Sequence, residues 1–212
     1  MKTDDLARVL AEDLRPVRAR PFAGPILPAG LGGAVVSAII LIVWLGLRPL
    51  GAATHSGPFW MKAAYTLALS STGFAMATRL ARPGGRIGGA GAPALLAIAW
   101  LAVLAGLETS RTAPTQLASL WLGQTWTECS FRIVALAAPV YLATLWVMRR
   151  MAPTRLGLAG AAAGLLAGSV GATVYGLYCE ETTAAFVVVW YTLGVGCATA
   201  LGALVGIRLL RW

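Results

Sequence analysis

LGLAGAAAGLLAGSVGATVYGLY, residues 156–178, carries no charged side chain and places glycine at 160, 164 and 168. A run of about 20 apolar residues crosses the hydrocarbon core of a bilayer as a helix. Glycine at every fourth position of such a helix lets a second helix approach it backbone to backbone. Gly194, Ala198, Gly202 and Gly206 repeat that spacing within residues 184–207. Two readings are open for the pair of stripes: packing of these two helices on each other, which is the simpler, or a seam between two copies of the chain.

Four more apolar runs precede this one, at 26–47, 59–78, 91–107 and 131–148. The fold class read from them is all-α: a polytopic membrane helical bundle with about six transmembrane helices over residues 26–212. Residues 1–25 form a separate segment outside the bilayer. The stretch 117–126 is too short to span and reads as an interfacial or re-entrant piece, with Trp121 and Trp126 at headgroup level. Pro139 is expected to kink the fourth helix. The chain is 58% hydrophobic and only 12% charged, which argues against a soluble domain. The first run is too long for the apolar part of a signal peptide, and the segment before it holds Asp4, Asp5, Glu12 and Asp13, so the N-terminus is expected to be retained.

The net charge of +9 does not mark a nucleic-acid groove, because the cations sit in short segments between apolar runs. Lys2, Arg8, Arg15, Arg18 and Arg20 precede the first run. Arg79, Arg82 and Arg86 follow the second, Arg149, Arg150 and Arg155 the fourth, and Arg208 and Arg211 the sixth. These alternate segments hold 13 of the 17 cations; Arg48, Lys62, Arg111 and Arg132 lie on the other side. The positive-inside rule therefore predicts both termini in the cytoplasm.

Leu6, Val9, Leu10 and Leu14 recur at i, i+3, i+4 and i+8, which lines one face of a helix. Thr3 suits its N-cap, Asp4 and Asp5 its positive end, and Pro16 stops it. A helix of about a dozen residues is marginal alone in water. Its acids make it a poor binder of anionic lipid. It is suited either to docking in a groove on a basic protein partner or to packing against the ends of its own bundle.

No enzyme motif is visible: the chain lacks C-x-x-C, H-E-x-x-H, G-x-S-x-G and a Walker sequence. No cofactor, small-molecule substrate or direct nucleic-acid contact is expected. The single histidine, His55, reads as a solvated loop residue. Of three cysteines, Cys197 falls inside the sixth run and reads as an inert small hydrophobe. Cys129 stands just before the fourth run and Cys179 just after the fifth. Those helices should form an antiparallel hairpin, which returns the two thiols to one level at the outer face. Both a sensing pair and an ordinary structural disulfide, or two unrelated thiols, fit that placement. The outer face of a bacterial inner membrane is oxidising. Glu128, Glu180 and Glu181 beside the thiols repel a thiolate, whereas Arg132 attracts it; carboxylates next to thiols also suit a soft metal cation.

The order and spacing of several stretches resemble the NrsF-type anti-sigma factors, negative regulators of sigma F. They are Met1-Lys2-Thr3-Asp4-Asp5-Leu6; Asp13-Leu14-Arg15-Pro16-Val17-Arg18; Trp126-Thr127-Glu128-Cys129-Ser130-Phe131-Arg132; Tyr178-Cys179-Glu180-Glu181; Phe186 with Trp190-Tyr191-Thr192-Leu193-Gly194; and Leu210-Arg211-Trp212. The resemblance covers the whole chain. It implies a bacterial inner-membrane protein that holds an extracytoplasmic-function sigma factor and answers oxidative or heavy-metal stress. It implies that Cys129 and Cys179 are the sensing residues. It also implies that Leu6, Leu10, Asp13 and Leu14, with Asp4, Asp5, Val9 and Arg15, contact the sigma factor, and that loop 79–86 assists. Where the family pattern is expected to follow its second cysteine with proline, this chain has Glu180, so the local turn differs. Rival readings are a small membrane thiol oxidoreductase, a transporter, or a scaffold subunit of a larger complex.

Overall fold

The computed structural model describes Asp5 and residues 24–211. Asp5 is exposed. Asp4, Leu6, Val9, Leu10, Asp13, Leu14 and Arg15, the other residues of the expected docking helix, lie outside the described residues.

Among the described residues there are six long helices and no strand. They are α1 (Ile26–Trp44), α2 (Gly57–Leu80), α3 (Ala92–Arg111), α4 (Trp126–Arg149), α5 (Leu156–Tyr175) and α6 (Ala184–Leu209). Five helical stretches are long and apolar enough to cross a membrane: Ile26–Trp44, Gly88–Arg111, Pro114–Arg149, Leu156–Tyr175 and Ala184–Leu209. The exception, α2, is long enough at 24 residues, but it carries Lys62, Arg79 and five serines and threonines. Its hydroxyls turn back onto the helix. Thr66 donates to the Lys62 carbonyl at 3.0 Å, Ser70 to Thr66 at 2.9 Å and Thr72 to Ala68 at 2.9 Å. A polar side chain satisfied within its own helix can face an apolar neighbour.

The helices outrun the apolar runs at the same end of the bundle. The third continues to Arg111 and the fourth begins at Trp126, since backbone hydrogen bonding extends past Glu108, Glu128 and Arg132, where apolarity stops. Stretch 117–126 opens as a short helix, Leu117–Leu122, directly after a 3-10 turn at Pro114–Gln116.

α5 is the central element. It packs against α6, α2, α4 and α1, and 67% of its apolar stretch is buried, against 22% for α1. Its composition is the cause, because glycine and alanine leave room for neighbouring backbones. A Cβ added at Gly202 would lie 2.6 Å from the Gly160 carbonyl oxygen, and one at Gly206 would lie 2.6 Å from the Gly160 Cα. The two small-residue stripes therefore meet within one chain, the simpler of the two readings.

α4 carries Pro139 in its interior, whose missing N–H leaves a carbonyl one turn earlier without its helical donor. α1 enters at this turn: the Ser37 hydroxyl donates to the Leu136 carbonyl at 2.6 Å, and Gly33 lies against the Pro139–Val140 backbone. The bundle exterior is apolar, with Val43 83% and Leu96 70% exposed, as a helix bundle in lipid requires. Short connections make successive helices antiparallel, so Arg79, Arg82, Arg86, Arg149, Arg150, Arg155 and Arg208 collect at one end. The Gly84 N–H donates to the Thr154 hydroxyl at 3.0 Å, which joins two of the arginine-bearing loops. Both expected site cysteines lie at the opposite end.

Candidate functional site

Cys129 lies in the first turn of α4, inside the helix and not ahead of it, and Cys179 follows the end of α5 by one turn. Both are buried, at 0% and 1% exposure. They belong to one apolar cluster with Ile133, Tyr175, Phe186 and Tyr191, and each lies within electrostatic reach of the other. Both are free thiols, as is Cys197, which is exposed on α6. The α4–α5 hairpin thus brings the two expected residues to one level.

The loop 179–181 is held from two sides. The Lys62 ammonium, 2% exposed on α2, donates to the carbonyls of Cys179 and Glu181, both at 2.8 Å. The Glu181 carboxylate points the other way and accepts from the amides of Gln124 at 2.7 Å and Thr125 at 3.1 Å, just ahead of α4. Gly123, with φ of +59°, ends the short helix before it and leaves room for that carboxylate; a Cβ there would collide with Glu181 and Phe186. One short loop thereby ties α2, α4 and α5 together beside the thiols.

α6 starts at the same place. Glu108, on α3, accepts from the amides of Ala184 at 2.7 Å and Ala185 at 3.2 Å, and the Thr183 hydroxyl accepts from the Phe186 amide at 3.3 Å. Negative charge and side-chain acceptors at a helix N-terminus satisfy donors the helix cannot. Residues Val187–Tyr191 then form a π-helical turn, a local widening that is rare and concentrated at functional sites. Ser130 of α4 donates to the Trp190 carbonyl at 2.9 Å, and the Trp190 indole N–H donates to the Trp121 carbonyl at 2.9 Å. The turn places Tyr191 among the thiols. Replacing Glu108 with alanine is expected to lower stability by about 1–2 kcal/mol, the usual cost of a lost cap. A detergent-solubilised variant that melts with the parent protein would remove Glu108 from this role.

A cavity of about 580 Å³ opens beside the loop, lined by Leu47, Arg48, Gln124, Thr125, Cys179 and Glu180 among others. It is of the size that small ligands occupy. The Arg48 guanidinium stands 5.3 Å from the Phe59 ring centroid and donates to the Gly176 carbonyl at 3.3 Å.

The carboxylates act otherwise than their sequence neighbourhood suggests. Glu128 is exposed and ion-paired with Arg132, which also contacts the Tyr178 hydroxyl and ring. Glu181 is engaged with amides. Among the described residues no three of histidine, cysteine, aspartate and glutamate come together as a metal site. His55 is exposed. The sequence reading set Lys62 on this side and Glu181 beside the thiols without finding their contacts, and it gave no role to Tyr175, Tyr191 or Glu108. A lysine within an apolar helix is costly enough to have been a signal; nothing in the sequence marks the tyrosines.

A family described as Negative regulator of sigma F, NrsF, matches residues 10–212. The chain belongs to the NrsF family. Two relatives align with it over the full length of both chains. The Anti-sigma-F factor NrsF of Caulobacter vibrioides (strain NA1000 / CB15N) is 43% identical over 217 residues. The Probable anti-sigma-F factor NrsF of Azospira oryzae (strain ATCC BAA-33 / DSM 13638 / PS) is 36% identical over 214 residues. No solved structure matches the chain. For this NrsF-family chain the matched region takes in all six long helices and the thiol end.

Proposed function

We propose that this chain is a multi-pass anti-sigma factor of a bacterial inner membrane, with both termini in the cytoplasm. It holds an extracytoplasmic-function sigma factor through residues 1–25 and releases it when Cys129 and Cys179 respond to oxidative or heavy-metal stress. The observation that carries the reading is the full-length match to a relative named as an anti-sigma-F factor, at 43% identity. The arginine-rich end supports the orientation through the positive-inside rule. The burial of both thiols in one cluster at the other end supports their acting as a pair.

In this mechanism a change at the thiols, by oxidation, disulfide exchange or binding of a soft metal, displaces loop 179–181. That loop is tied to α2 through Lys62 and to α4 through Glu181, and both helices run to the arginine end. A coupling of about 1–3 kcal/mol across the bundle is enough to change sigma occupancy several-fold or more. The buried amide and ammonium contacts of one loop are of that order.

The test is a reporter driven by the partner sigma factor. Cys129→Ser and Cys179→Ser are each expected to lose induction by stress while resting repression is kept. Intact induction in both variants would show that the thiols are not the sensor. A tagged chain is expected to copurify with the sigma factor and to lose it when residues 1–25 are removed. Copurification with other membrane proteins instead would favour a scaffold role.

A further inference from the structure

Two tyrosine hydroxyls in the thiol end have no hydrogen-bond partner. Tyr175 closes α5 and Tyr191 lies in the π-helical turn of α6; both are fully buried, their rings 5.9 Å apart between centroids. A buried polar atom left unpaired calls for a reason. Tyr175 faces the Cys129 sulfur and also the Arg132 guanidinium, and Tyr191 faces the Cys179 sulfur. A thiol is a weak acceptor, whereas a thiolate is a charged one that shortens and strengthens such bonds.

Lys62 adds a positive charge. An ammonium carries three donors. Two are given to the carbonyls of Cys179 and Glu181, and no carboxylate among the described residues lies at ion-pair distance from it. The nearest acid, Glu181, has its carboxylate committed to the amides of Gln124 and Thr125. Lys62 is also within electrostatic reach of both sulfurs. A buried cation without a counterion is expensive unless an anion can form beside it.

We propose that Tyr175, Tyr191 and Lys62 form a donor set that stabilises negative charge as it develops on the sulfur of Cys129 or of Cys179, so that one thiol of the buried pair at a time can react. The inference rests on the reading of these cysteines as the reactive pair and assigns three positioning residues to it. Burial and apolar surroundings oppose a thiolate; the two hydroxyls, one at each sulfur, and the nearby ammonium lessen that cost. The cavity beside Cys179 admits a small electrophile as far as the loop that covers the thiols.

The experiment uses the full chain, reduced and reconstituted in nanodiscs. Cys197→Ser is the background, since Cys197 is exposed and would react on its own account. Alkylation by iodoacetamide at neutral pH is followed at each thiol by mass spectrometry. Tyr175→Phe should slow Cys129 and Tyr191→Phe should slow Cys179, each by roughly tenfold, as loss of one charge-assisted hydrogen bond implies. Lys62→Met should slow both thiols, and Lys62→Arg should restore most of the rate. Loosened packing has the opposite sign, because it exposes the sulfurs and speeds alkylation. Unchanged or faster alkylation in both tyrosine variants, each confirmed folded by its helical circular dichroism, would overturn the proposal. Intact stress induction in the cysteine-to-serine variants would instead remove the sensor reading and leave these rates as they are.

Discussion

Gly160→Leu is expected to prevent the bundle from assembling. The Gly160 Cβ position lies 2.8 Å from the Gly206 Cα and closer still to the Gly202 carbonyl, and both obstacles are backbone, which cannot rotate away as a side chain can. Gly202 and Gly206 are in turn blocked by Gly160, so relief requires the whole of α6 to retreat from α5. In lipid, helix association depends on such close packing, since no water is released by bringing two helices together. Overpacking a tight core costs about 1–3 kcal/mol when neighbours can adjust; here the neighbours are main chain on the central helix, and the loss should reach or exceed that upper end. Gly196→Leu is the control: it adds the same side chain to α6 where nothing lies within 4 Å. Size-exclusion profiles and thermal melts in detergent should show an aggregated or early-melting Gly160→Leu beside a near-normal Gly196→Leu. Equal melting of the two would mean that the α5–α6 contact does not hold the fold.

Leu6→Ala combined with Leu10→Ala is expected to switch a sigma-dependent reporter on without any stress. Both leucines belong to the apolar stripe that also takes in Val9 and Leu14. Anchoring side chains of a docked helix commonly contribute about 2 kcal/mol or more each. Losing two should weaken binding by at least about a hundredfold. Arg8, which lies off the stripe, should tolerate alanine. The phenotype is opposite in sign to that of the cysteine variants, which should hold the reporter off, so the two ends of the mechanism can be told apart in one assay. A reporter that stays off in the double leucine variant would place the docking surface elsewhere, with the loop around Arg79, Arg82 and Arg86 as the next segment to test.

The number of long helices, their order and the partnership of α5 with α6 were all legible in the amino-acid sequence. Apolar length and glycine spacing are local, one-dimensional properties, and a bilayer converts them into helices and close contacts with few alternatives. Charge placement was equally legible: the cations of alternate loops collect at one end of the bundle. Helix boundaries were less so, because Glu108, Glu128 and Arg132 end an apolar run without ending a helix.

The pairing of Cys129 with Cys179 followed from counting residues along a hairpin, and the fold keeps them together. What surrounds them did not follow. Lys62 stands 117 residues from Cys179 and Glu181 some 57 from Gln124, and no spacing rule links positions so distant. Glu181 looked like a charge beside a thiol, yet its carboxylate turns to the start of α4. Tyr191 lies beside the sulfurs in a π-helical turn whose Trp190 carbonyl accepts from Ser130 on another helix. The sequence alone therefore settled which helices exist and which end holds the thiols, since length, hydropathy and charge act locally. Which groups meet at those thiols was settled by folding, since directional contacts between remote side chains exist only after the helices have packed.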